Sequence, residues 1–355
     1  MAPTRARVMS LVLILAFGCS STSDSPPVTP AARMRIQSRT PVDFIRSLIL
    51  LDGRIWGVGQ DIESFGGVAY RIDPRAGSIE TWADLDLHAL DGIAIGGSQI
   101  WVTSNVTSDG ECDGAGEDFT PRMHSVYVDG APAMISECEG IIATMARLDS
   151  TGVQVGETMR FADWNLAGIA VSNADLWLSA TDGERGVLAR LRPGSDRFEH
   201  VRRTDDGMSL QLVAGFLWGS RGDHLYRLDP STGAELARAE LPGVHAIFIG
   251  HDDVWVATDN AVHRLDPATL QVRNHFPTPE PGGIVADASN VYITGLEDGH
   301  LYRLDPETGE VAERIDLGPH AEDSYFPATT DVVLAEGSAW VVHGAELVRI
   351  DLDSA

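Results

Sequence analysis

The sequence predicts an all-β fold, a seven-bladed β-propeller of four-stranded antiparallel blades occupying residues 34–355. Three observations predict it. A short strand centred on an aromatic residue recurs seven times, as IWGV at 55, IWVT at 100, LWLS at 176, LWGS at 217, VWVA at 254, VYIT at 291 and AWVV at 339. Each is followed by a second strand that ends in Arg-apolar-Asp or a close variant: YRIDP at 70, ARLDS at 146, ARLRP at 189, YRLDP at 226, HRLDP at 263, YRLDP at 302 and VRIDL at 348. The anchors Trp56, Trp101, Trp177, Trp218, Trp255, Tyr292 and Trp340 are 45, 76, 41, 37, 37 and 48 residues apart. All but one of these intervals lie near the roughly 40–50 residues of a four-stranded blade, and the exception marks a single insertion. With 36 glycines and 43% hydrophobic residues, the chain is turn-rich and has enough apolar mass for a sizeable core.

Taken in order, the first element is residues 1–18, where Arg5 and Arg7 precede an apolar run from Val8 to Phe17 and a small Gly18. This is the order of a secretory signal peptide, and ten apolar residues are too few to span a bilayer. The stretch resembles a bacterial lipoprotein signal, which implies acylation of Cys19 after cleavage; plain cleavage to a soluble secreted protein is the alternative. Ser20 stands where enteric lipoproteins retained in the inner membrane carry aspartate, so the resemblance implies the outer membrane. Residues 19–33 are rich in Ser, Thr and Pro without apolar periodicity and read as a flexible tether.

Within a repeat, four strands are expected. Blade five places them at 244–249, 252–257, 261–266 and 271–275, with Gly250 and Asp266-Pro267 marking turns. The recurrent aspartate is expected to accept backbone hydrogen bonds inside its turn, a structural role that explains its repetition. Blade seven shows strands at 331–335, 338–342 and 345–350, after which too little chain remains for a fourth. Residues 34–39, ahead of the first strand of blade one at 44–51, are expected to supply it and close the ring.

The insertion runs from 104 to 140, between the second and third strands of blade two, and is expected to be one long loop. It holds Cys112 and Cys138. In an exported protein these are expected to pair, and a bridge over 27 residues would contribute roughly 3.5 kcal/mol; zinc is the competing reading. Asp109, Glu111, Asp113, Glu117 and Asp118 crowd the same loop. Calcium is the alternative there to a solvated acidic loop, since the spacing is not that of an EF-hand.

These repeats resemble the bacterial propeller proteins with YVTN-type, NHL-type and streptogramin-lyase-type repeats over residues 34–353. The resemblance implies the fold; the group itself contains lyases, lactonases, quinoproteins and binding scaffolds, so it implies no single activity. Quinoprotein repeats place a docking Trp after the turn glycine. Only Trp82 of blade one fits, and no pyrroloquinoline quinone or other cofactor is predicted, calcium aside.

The formal charge is −26, with 52 acidic and 26 basic residues, and every basic residue is Arg. Such a surface repels phosphate backbones and anionic lipid headgroups, which argues against nucleic-acid binding and leaves the lipid as the membrane contact. Without Lys there is no lysine Schiff-base chemistry. No nucleophile elbow, phosphate loop or HExxH helix occurs. Candidate ligand-binding residues are therefore sought where the inner strands start, at the channel mouth: Arg46, Asp91, Asn165, Gln211, His245 and Asp331. The longer loops at the same end, 59–67, 104–140 and 316–330, converge on blades seven, one and two and add His88, His124, His320, Tyr325 and Phe326. The expected function is a monomeric binding scaffold of the cell envelope for a small ligand or an envelope protein. The alternative is a channel-centred lyase or hydrolase with His245 and Asp91 or Asp331 as acid and base.

Overall fold

A computed structural model describes residues 33–61, 67–82, 90–96, 99–107, 123–128, 131–136, 141–162, 164–172, 174–181, 185–195, 197–213, 215–244, 246–278, 280–318 and 329–352. The described residues form seven sheets in a ring and no helix, each blade built on four antiparallel strands. The first strand, β1 (Met34–Pro41), belongs to the last blade. Blade one is β2 (Phe44–Leu51), β3 (Arg54–Gln60), β4 (Gly67–Asp73) and β5 (Ser78–Trp82). Blade two begins with β6 (Leu90–Gly96) and β7 (Gln99–Thr107), continues through the inserted β8 (Met123–Val128) and β9 (Ala131–Ser136), and ends with β10 (Ile141–Asp149) and β11 (Met159–Ala162). Blade three is β12 (Asn165–Ser172), β13 (Asp175–Thr181), β14 (Gly186–Leu191) and β15 (Glu199–Thr204). Blade four is β16 (Ser209–Val213), β17 (Phe216–Arg221), β18 (His224–Leu228) and β19 (Glu235–Glu240). Blade five is β20 (Ala246–Gly250), β21 (Asp253–Thr258), β22 (Ala261–Leu265) and β23 (Val272–Pro277). Blade six is β24 (Pro281–Ala286), β25 (Val291–Gly295), β26 (His300–Leu304) and β27 (Val311–Asp316), and blade seven is β28 (Thr329–Ala335), β29 (Ser338–His343) and β30 (Glu346–Leu352) completed by β1.

Inner strands of successive blades touch around the whole circle, and β28 meets β2 to close it. The expected closing strand is present and longer than 34–39: β1 pairs with β30 from Met34↔Leu352 to Pro41↔Glu346. The insertion departs from the expected long loop. β8 and β9 form a hairpin, and β8 joins the outer edge of blade two in parallel through Tyr127↔Phe161, so this blade has six strands in the order β6-β7-β10-β11-β8-β9. An open edge satisfies backbone groups that a free loop would leave to water, which is the physical reason for the addition. Cys112, Cys138 and the acidic cluster from Asp109 to Asp118 lie outside the described residues, as do Cys19 and the tether.

Burial explains the repeat. Second strands are enclosed on both faces, as in β21 and β29, where every residue is buried, whereas outer strands such as β19 and β27 are mostly exposed. All seven aromatic anchors are at most 8% exposed. Directly across the sheet from each stands the motif arginine: Trp56↔Arg71, Trp101↔Arg147, Trp177↔Arg190, Trp218↔Arg227, Trp255↔Arg264, Tyr292↔Arg303 and Trp340↔Arg349. In blades two, three, five and seven the guanidinium lies 5.3–5.7 Å from the indole centroid, a cation–π contact; Arg227 instead covers Phe216 at 4.9 Å.

Three of these arginines, Arg190, Arg227 and Arg264, also tie their blade to the next. Arg190 donates to the Ser231 carbonyl, Arg227 to that of Pro267, and Arg264 Nη1 to that of Pro306 at 2.8 Å. Those acceptors sit in the Asp-Pro turn of the following blade, whose shape is set by the aspartate. Asp229 Oδ1 accepts from Ser231 N at 2.8 Å and Thr232 N at 3.0 Å, and Asp73, Asp149, Asp266 and Asp305 do the same in their turns. Asp253 is buried completely and is held by Arg264 and Arg273. Two partners offset the desolvation that an isolated carboxylate would suffer.

Candidate functional site

The channel mouth is shaped by irregularities in the inner strands. In blade one the register shifts between Ile45↔Gly59 and Ser47↔Val58, leaving Arg46 as the extra residue. The same shift leaves Asp91 in blade two, between Leu90↔Ser104 and Gly92↔Thr103, and Ala167 in blade three, between Leu166↔Ala180 and Gly168↔Ser179. In blade seven it spans Thr330 and Asp331, and in blade six Gly282 and Gly283. Relative to the buried aromatic of its blade, each bulge falls at one level. A bulge unpairs a residue and bends its strand, which is how a sheet re-aims a side chain at a rim.

This level sorts the residues expected to line the mouth. Arg46, Asp91 and Asp331 share it, on the adjacent blades one, two and seven. Asn165 does not: it pairs with Thr181 two residues nearer the strand start and is exposed. Gln211 lies lower, opposite Trp218 in mid-strand. His124 lies on β8, in the outer hairpin of blade two, far from the inner strand β6. His88, His245, His320, Tyr325 and Phe326 lie outside the described residues.

Asp331 is the best-defined group at the mouth. Its Oδ2 accepts from Leu48 N at 2.7 Å and from Ser47 Oγ at 3.4 Å, both on blade one, and its Oδ1 accepts from Val332 N at 2.8 Å. Desolvation outweighs these bonds and pushes the carboxyl up to about 6. Blade six makes room for it, because a Cβ on Gly283 would stand 3.0 Å from Asp331 Oδ1. Asp331 thus clamps the last blade to the first on the channel side. Similar clamps follow round the rim: Asn105 Oδ1 accepts from Leu166 N at 2.7 Å while Asn105 Nδ2 donates to Leu166 O at 3.0 Å, and Ser179 Oγ accepts from Met208 N at 2.9 Å. Arg46 is exposed, with its guanidinium 5.7 Å from the Phe44 ring centroid.

Two tyrosine–aspartate pairs at this end were not anticipated. Tyr70 donates to Asp43, whose own amide donates back to Tyr70 Oη at 2.9 Å, and Tyr302 donates to Asp298. Burial, then the carboxylate, pushes Tyr302 up to about 12 and Tyr70 higher still. The signal was present in the Tyr that opens the motif at 70 and 302, but its hydroxyl partner lies on a loop that only the fold brings near. Among the described residues no group of three or more His, Cys, Asp or Glu is placed to hold a metal ion. No protein-family model matches the chain and no curated protein is matched by it, so function is argued from this geometry.

Proposed function

We propose that this chain is an exported binding scaffold of the cell envelope, lipid-anchored through Cys19 to the outer membrane, that takes a small ligand or an envelope protein at its channel mouth over blades seven, one and two. The observation that carries the reading is the common bulge level of Asp331, Arg46 and Asp91 on three adjacent blades, which groups charge of both signs on one sector of the rim. Rigid inner strands preorganise such groups better than loops do, and preorganisation lowers the ordering cost of binding. The likeness to YVTN-type, NHL-type and streptogramin-lyase-type repeats fits a scaffold and equally a channel-centred enzyme. An acid/base role would fall to Asp331, whose pKa is raised, yet both of its oxygens accept backbone amides and serve the seam, so the geometry favours binding.

The test is a thermal-shift screen of the purified propeller against sugars, amino acids and peptides, with capture from native envelopes alongside. A ligand or partner found this way should lose about tenfold or more in affinity in Arg46→Ala, with melting unchanged. Binding that survives both Arg46→Ala and Asp91→Asn places the interaction elsewhere. Cys19→Ser should release the protein from membranes and abolish acyl labelling; a soluble, unacylated wild type would remove the anchor from the proposal.

A further inference from the structure

We infer that the outer half of blade five holds a binding site, independent of the channel mouth, for one divalent first-row transition-metal ion, with His263 of β22 and His275 of β23 as its two protein ligands. The two residues stand directly opposite each other across the sheet, as His263↔His275. Their ring centroids are 6.2 Å apart and their planes are inclined by 26°. Metal–nitrogen bonds of about 2.0–2.1 Å let one ion join two imidazoles whose centroids lie up to roughly 6.4 Å apart. The gap between these rings is within the reach of a single ion.

Hydrogen bonding sets the tautomer of His263. Thr258 Oγ1 donates to the Ala261 carbonyl at 3.1 Å, so its oxygen accepts from His263 Nε2 at 3.2 Å. The proton then sits on Nε2 and a lone pair on Nδ1. That second nitrogen is buried and has no hydrogen-bond partner among the described residues. A buried acceptor left unpaired costs free energy, and a bound cation is one way such a group is satisfied. A ligating histidine gives its other ring nitrogen to an outer partner that fixes the ring, which is the place Thr258 occupies. Burial first, then His275, hold the His263 pKa below its ordinary 6.5, so at neutral pH the ring is in the uncharged form that binds metal. His275 is exposed on the outer strand, so ions reach the pair from solvent and its ring is able to turn toward Nδ1. Arg273, two residues earlier, is drawn to Asp253 and Asp266, and the formal charge of −26 concentrates cations around the chain. Imidazole nitrogen suits zinc, nickel and copper, whereas calcium and magnesium take oxygen. The remaining positions on the ion fall to water.

The experiment is calorimetric titration of the purified wild-type chain with zinc chloride and with copper(II) chloride at neutral pH. Saturable binding of both is expected, tighter for copper than for zinc as the order of metal affinities requires. His275→Ala should weaken it about tenfold or more, and because His275 is exposed on an outer strand this variant keeps its fold. His300→Ala, which removes a histidine from the next blade, should leave the isotherm unchanged. Electron paramagnetic resonance of the chain with one equivalent of copper should show coupling to two imidazole nitrogens, reduced to one at most in His275→Ala and in His263→Ala. That spectrum reads the ligands directly, so it serves even if His263→Ala melts early. No saturable binding of either metal by wild type, or a copper spectrum without two coupled nitrogens, would overturn the site. Equal affinity in His275→Ala would place the ion elsewhere, on Cys112 and Cys138 for example, and would overturn it as well.

Discussion

Asp331 shows what a single residue contributes at the seam between the last blade and the first. Its carboxyl is raised from an ordinary 3.8 to about 6 by burial, so the folded state binds a proton that the unfolded state does not in the interval between those values. The sign follows: the charged group costs stability above about 6, and protonation relieves the cost as pH falls toward 4. Comparing wild type with Asp331→Asn by urea unfolding, the stability difference should shift in favour of wild type by about 1 kcal/mol between pH 7 and pH 5. His263 acts oppositely in the same window, since burial and then His275 hold its pKa down. It is present in both proteins and cancels in the difference. An unchanged difference across that range would mean that Asp331 titrates as an ordinary surface carboxylate.

At the scale of the element, the Asp-Pro turn is the unit that joins blades. Its aspartate is held below the usual carboxylate range by backbone amides first in Asp73, Asp266 and Asp305 and by the turn hydroxyl first in Asp229; Asp149, which opens the kindred Asp-Ser turn, is held down by its turn hydroxyl first as well. This stabilisation is complete above about pH 4 and is lost as pH falls through the folded values, about 2 for Asp266. The Asp305 turn also ends on a glycine for two reasons. Gly309 has φ +69°, and a Cβ there would overlap the Phe276 ring of the preceding blade. Gly53 has φ +72° with nothing within 4 Å. Gly53→Ala should therefore cost only the backbone term, about 1 kcal/mol, and Gly309→Ala about 2 kcal/mol or more, because ring and turn must separate. Equal costs in denaturant unfolding would show that the turn does not press on its neighbour.

At the scale of the whole molecule, closure depends on the chain's described start meeting its described end. β1 covers the edge of β30, where Arg39 pairs with Glu346 at 2.8 Å, and reaches blade six as well: Met34 N donates to Glu313 Oε1 at 3.0 Å, and Arg39 Nη2 donates to the Leu317 carbonyl. Met34, with Ile36, packs into the core between blades six and seven. Deleting residues 34–41 should expose the β30 edge and those apolar groups, lower the melting temperature by several degrees and promote aggregation on heating. A melting curve unchanged by the deletion would mean that the ring is held by its inner contacts alone.

The sequence by itself determined the blade count, the positions of the seven aromatic anchors, the turn aspartates and the origin of the closing strand. Each of these follows from a local rule: an aromatic inside a short apolar strand in all seven repeats, an aspartate that accepts the amides of its own turn in most of them, and a last repeat one strand short. Only the tertiary structure decided which of the candidate residues share one level at the rim. The spacing along β12 and β16 cannot tell that Asn165 and Gln211 miss the level of Arg46, because a bulge is defined by the partner strand. The clamp from Asp331 to Leu48 joins residues 283 apart, and nothing near either one in the sequence announces the other. The hairpin of β8 and β9 attaches to an edge that exists only once blade two has formed. Local propensity writes the blade, whereas register and contacts between blades, set by packing around the ring, place the charges at its mouth.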